Sequence, residues 1–126
     1  MLLEAMIGIL IFSMGILAII GMQARSIAYV SDAMYRSQAS FLSNEIIGAM
    51  WVDRANLANY VMPGGASTTV TTWAAKVSNE LPGSAANPPT IAIDPATGIV
   101  TITIQWMPPN VTTAHNLVAV AQIQSP

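Results

Sequence analysis

The chain has 126 residues, of which 53% are hydrophobic and 8% charged, with a formal net charge of −2 and no cysteine. That length supports one small domain, and the missing cysteines exclude a disulfide framework, a thiolate nucleophile and a cysteine-ligated metal. Four basic residues against six acidic ones make no basic stripe for phosphates, so nucleic acid is not an expected partner.

Glu4 opens an apolar run, and from Ala5 to Ala24 no charged residue appears until Arg25. At about 1.5 Å per helical residue this stretch spans roughly 30 Å, the thickness of a bilayer's hydrocarbon layer. Residues 1–24 are therefore expected to form the transmembrane half of a helix. A carboxylate near the edge of hydrocarbon costs on the order of 1 to 3 kcal/mol, so Glu4 needs an escape to water or a partner. A cleaved signal would start with basic residues and carry an apolar stretch of about 7 to 15 residues. This one starts with an acid, and its helical pattern continues through Ala24, which favours an anchor. Ala5, Gly8, Gly15, Ala18 and Gly21 are either points of close helix approach or tolerated small residues, since no strict GxxxG occurs.

No proline occurs before Pro63, and the composition predicts one helix from Met1 to about Tyr60. Over 25–62 the helix becomes one-sided: Ile27, Val30, Met34, Phe41, Leu42, Ile46, Met50, Leu57 and Val61 recur at steps suited to packing on a globular partner. Arg25, Asp32, Arg36, Glu45, Asp53 and Arg54 lie between them, with Asp32 and Arg36 spaced for a helical ion pair. Arg25, Tyr35, Arg36 and Gln38 offer either a subunit interface or a solvated helix face.

Pro63-Gly64-Gly65 breaks the helix and opens a small αβ domain over 63–126. Thr71 or Thr72 is expected to cap a short helix running toward Leu81, closed by Pro82-Gly83, with a loop over 84–89. Thr90 to Asp94 and Ile99 to Trp106 flank a turn-rich connector as a hairpin, and Leu117 to Ile123 returns as a third strand. In the second strand Val100, Ile102, Ile104 and Trp106 alternate with Thr101, Thr103 and Gln105, so one face should cover the helix. The expected class is α+β: a long N-terminal helix on a small, roughly three-stranded antiparallel sheet. Trp51, Trp73 and Trp106 are read as core residues rather than interface anchors. His115 is assigned to a loop; with no second histidine and no nearby acidic cluster, no metal site, cofactor or catalytic pair is expected, nor is an enzyme.

The opening Leu2-Leu3-Glu4-Ala5-Met6-Ile7-Gly8-Ile9-Leu10 resembles that of type IV pilins and pseudopilins. Gly21-Met22-Gln23-Ala24-Arg25-Ser26, Tyr35-Arg36-Ser37-Gln38-Ala39, Met50-Trp51-Val52-Asp53-Arg54-Ala55-Asn56, Leu81-Pro82-Gly83 and Val100-Thr101-Ile102-Thr103-Ile104-Gln105-Trp106 are similar to segments of minor members of that family. The resemblance implies that Glu4 matches the fifth mature residue, which accepts the N-terminal ammonium of an adjacent subunit. The family's basic leader and the phenylalanine that becomes N-methylated have no counterpart here, so the sequence is expected to begin one residue inside the mature protein.

The resemblance further implies a minor pilin that joins other minor pilins and the major pilin in a complex that primes assembly. A tip adhesin and the inner-membrane assembly platform are further partners that the resemblance implies. The location implied is the bacterial inner membrane, with the C-terminal domain in the periplasm, and later the pilus tip at the cell surface. Two alternatives stay open at this point: a minor pseudopilin of a type II secretion system, and a membrane-tethered adhesin or binding module using the loops over 63–72 or 84–89.

Overall fold

The computed structural model describes residues 1–124 and 126. Helix α1 spans Leu2–Val52, a 3₁₀ segment follows at Arg54–Tyr60, and helix α2 covers Thr68–Glu80. Strands β1 (Thr90–Asp94), β2 (Ile99–Trp106) and β3 (His115–Gln122) form one antiparallel sheet in the order β1-β2-β3. The class is α+β, as expected. Contacts divide the chain into two compact units, Met1–Ala33 and Met34–Pro126. The boundary between the units falls inside α1.

In the first unit every residue through Val30 is exposed, and none of the most apolar window of α1 is buried. By length and composition the helix can cross a membrane, which is compatible with an anchor or a signal sequence. The second unit has an ordinary core. Ala39, Leu42, Ile46 and Met50 of α1 join Val70, Trp73 and Val77 of α2 and Ile91, Val100, Ile102, Ile104 and Trp106 of the sheet in one buried cluster. Burial of a side chain such as Ile102 or Ile104 contributes roughly 1.5 to 3 kcal/mol.

Alternation in β2 sends Val100, Ile102, Ile104 and Trp106 inward, and all four have no accessible surface. The apolar stripe on α1 is only half used: Leu42, Ile46 and Met50 are buried, whereas Ile27, Val30, Met34 and Phe41 are exposed. Trp73 and Trp106 are core residues, but Trp51 is 45% exposed, because it lies off the face occupied by Leu42, Ile46 and Met50.

Three expected boundaries move. α1 ends at Val52 rather than near Tyr60, because Asp53 offers local bonds that compete with the helix: its carboxylate accepts Asn56 Nδ2 at 2.7 Å and the Tyr60 hydroxyl at 3.2 Å. Asn56 itself leaves helical geometry at φ −110° and ψ 27°. α2 begins before the threonines assigned to its cap; Thr71 and Thr72 lie inside it and donate to the carbonyls of Ser67 and Thr68 at 3.1 and 3.0 Å. β3 starts at His115, not Leu117, because β2 is long enough to pair Trp106 with His115 and Gln105 with Asn116. The single histidine is therefore a strand residue.

Turn chemistry fixes the rest. After α2, Gly83 adopts φ +73°, and Ser84 Oγ lies within hydrogen-bond distance of the Val77 and Leu81 carbonyls, at 3.0 and 2.7 Å. In the β1–β2 turn the Asp94 carboxylate accepts the Ala96 N–H at 2.9 Å and the Thr97 hydroxyl at 2.7 Å.

Candidate functional site

Glu4 occupies the first turn of α1, where four backbone N–H groups lack intrahelical acceptors and a negative charge is favoured. It is exposed, and it is the sole charged side chain before Arg25. At about 100° of rotation per residue, Glu4, Gly8, Gly15 and Ala18 fall within a stripe roughly 80° wide, and Ala5 lies beside it. A Cβ added at Gly8, Gly15 or Gly21 would meet nothing within 4 Å. The carboxylate thus stands at the head of a shallow face that another helix could approach closely. Reading the residues one at a time does not reveal this; the α-helical rotation does.

The other expected interface residues behave differently. Arg25 is exposed. Tyr35 is half-buried against the core cluster, Arg36 places its guanidinium 5.7 Å from the centre of the Trp106 ring, and Gln38 Nε2 donates to Glu80 Oε2. Each of these three helps hold the second unit together. The His115 ring, on the strand residue paired with Trp106, lies 6.0 Å from the Trp106 ring at an interplanar angle of 27°. Sequence spacing gave no sign of this cluster, since its members come from α1, β2 and β3.

Long-range links from α1 to α2 also escaped the sequence. Trp73 Nε1 donates to the Leu42 carbonyl at 2.8 Å, and Lys76 Nζ bonds Glu45 at 2.7 Å. The hydrogen bond to Glu45 raises the Lys76 pKa above its ordinary value. Trp73, Lys76 and Glu45 border a cleft of about 330 Å³ that also takes in Thr68, Thr69 and Thr72. A second cleft, of about 410 Å³, lies beside the β1–β2 turn between Leu57, Thr97 and Gln122.

Comparison with protein-family models, curated proteins and solved structures finds no match to this chain. The exposed apolar helix with its lone acid is accordingly the candidate functional site, on geometry and chemistry alone.

Proposed function

We propose that the chain is a minor pilin of a type IV pilus, similar to PilV, that joins other minor pilins and the major pilin in the complex that starts assembly. One observation carries this reading: a carboxylate heads a helix whose apolar surface is exposed on every side through Val30. Such a helix needs an apolar surrounding, and Glu4 in that surrounding needs a positive partner. A terminal ammonium from a neighbouring subunit supplies both the charge and the hydrogen-bond donors, in a low-dielectric setting where the attraction is strong. Gly8, Gly15 and Ala18 lie on the face below Glu4 and let the neighbouring helix come near. The chain would wait in the inner membrane with its sheet-bearing unit in the periplasm, then move to the pilus tip.

The test is Glu4→Gln in the full chain, expressed with its sibling pilins. Removing one partner of a buried pair strands the other charge, at a cost of about 3 kcal/mol, so recovery of sibling pilins with this chain should fall more than tenfold. Membrane insertion and the unfolding of the sheet-bearing unit should not change. Full incorporation of Glu4→Gln into fibres would overturn the reading, and a secretion defect with normal fibres would move the chain to a type II secretion system.

A further inference from the structure

The two edges of the sheet are built differently. At β1 the edge is covered: Met62 N–H donates to the Ile91 carbonyl and Ile91 N–H to the Met62 carbonyl, both at 3.0 Å. β1 is also short, at five residues, and ends in Asp94. β3 has none of these protections. It runs eight residues in unbroken register with β2, and His115-Asn116-Leu117-Val118-Ala119-Val120-Ala121-Gln122 contains no proline, lysine, arginine, aspartate or glutamate. Long, flat, uncharged edges are those that pair with another strand.

The direction of the backbone groups follows from the alternation of an antiparallel ladder. Ile123 N–H points toward β2, donating to the Gly98 carbonyl at 2.8 Å. Counting back by twos, Ala121, Ala119 and Leu117 also point toward β2, so Asn116, Val118, Val120 and Gln122 turn their N–H and C=O groups outward. None of these outward groups meets a backbone partner among the described residues. Val118 and Val120 are 55% and 65% exposed on the outer face, while Leu117, Ala119 and Ala121 on the inner face are only half-buried, unlike their fully buried neighbours in β2.

We propose that β3 pairs antiparallel with β3 of a second copy of this chain, across a two-fold axis at Ala119. The outward backbone groups call for an extended strand, and the side chains match themselves in this register. Val118 opposes Val120 of the other copy, Asn116 opposes Gln122, and Leu117 opposes Ala121, so the inner face stays apolar and no like charges meet. Moving the axis by half a residue would set inner-face positions opposite outer-face ones, which the pleat forbids. Moving it by a whole residue, to Val118, preserves the faces but uses fewer of the outward groups. The inference does not depend on the function proposed above.

The absence of native cysteine makes the register measurable. Ala119 would face its own copy as a non-hydrogen-bonded pair with Cα atoms about 4.5 Å apart, inside the range of about 4.4 to 6.8 Å that a disulfide spans. The full chain in detergent micelles, carrying Ala119→Cys, should form a disulfide dimer on mild oxidation at least about tenfold faster than Thr90→Cys on the opposite edge. Adding Val118→Lys should slow that dimer about tenfold, because a charge is placed against Val120 of the other copy. Adding Val118→Thr instead should restore it; Val118 is exposed, so neither change should disturb the fold, as far-UV circular dichroism checks. Equal rates for Ala119→Cys and Thr90→Cys would overturn the proposal. So would indifference to Val118→Lys, or cross-linking of Ala119→Cys to a different protein in place of its own copy.

Discussion

One helix, α1, takes part in both units of the molecule, and its residues meet opposite fates in them. Up to Val30 its isoleucines, leucines and methionines are exposed on all sides, and its glycines have open space where a side chain would be. From Ala39 to Met50 a single face of the same helix is sealed, with Ala39, Leu42 and Met50 at 0% exposure. The difference teaches that the helix is not one structural element with one solvent. The first part exposes an apolar surface compatible with a membrane anchor or a signal sequence, and the second packs its apolar face against α2 and the sheet.

The largest expected effect tests that contrast directly. Trp106→Ala should lower the stability of the sheet-bearing unit by about 3 to 5 kcal/mol, since it empties a fully buried site, whereas Leu10→Ala should leave its unfolding midpoint unchanged and weaken only membrane or micelle partitioning. Denaturant titration followed by circular dichroism measures the first, and flotation with vesicles the second. Equal effects of the two changes on unfolding would erase the distinction between the units.

Glycine substitutions sharpen it at a smaller scale. Gly83 has φ +73°, and a Cβ there would lie 2.8 Å from Met107 Cβ, so Gly83→Ala should destabilise by about 1 to 3 kcal/mol. Gly8→Ala in the exposed part of α1 should instead favour the helix by about 0.5 to 1 kcal/mol. If the α1 face below Glu4 packs against a neighbour, that same change should reduce assembly while raising helicity.

Two titrations complete the series, both confined to the second unit. Burial, followed by the hydrogen bond to Asp53 and that residue's charge, raises the Tyr60 pKa above 10.0. A raised folded pKa means that the contribution to stability is complete below the unfolded value and is lost as pH climbs through the folded one. Unfolding followed above pH 10 should therefore show a decline that Tyr60→Phe flattens. Asp94 gives the smallest effect, with the opposite sign: the Thr97 hydroxyl and the Ala96 N–H hold its pKa below 3.8. Its contribution is present above the unfolded value of about 3.9 and fades as pH falls through the depressed one. Observation of its carboxyl resonance by NMR should show the low midpoint, and Thr97→Val should move it up.

Much of the secondary structure was legible because it depends on neighbours in the chain. β1 and β2 fall where alternation and the Pro95-Ala96-Thr97-Gly98 connector put them, and Pro82-Gly83 does follow the end of α2. The misplaced boundaries share a cause. Asp53 and Asn56 read as helix residues until their side chains are seen to bond one another, and His115 reads as loop until the far end of β2 offers it a partner. Trp51 reads as a core residue in so small a domain, whereas the direction of its face on α1 leaves it half in solvent.

For the candidate site, the residues carrying the chemistry were visible in the linear order: a lone acid ahead of twenty uncharged residues is a property of the string itself. The neighbours of Tyr35, Arg36 and Gln38 were not, because Trp106 and Glu80 reach them only through the fold. Hydropathy and charge spacing act along the chain, so the sequence alone determined the apolar helix, its carboxylate and the alternation of β2. Which side of α1 is sealed, which aromatic rings stack and which sheet edge is left open depend on contacts between distant segments, and only the tertiary structure decided them.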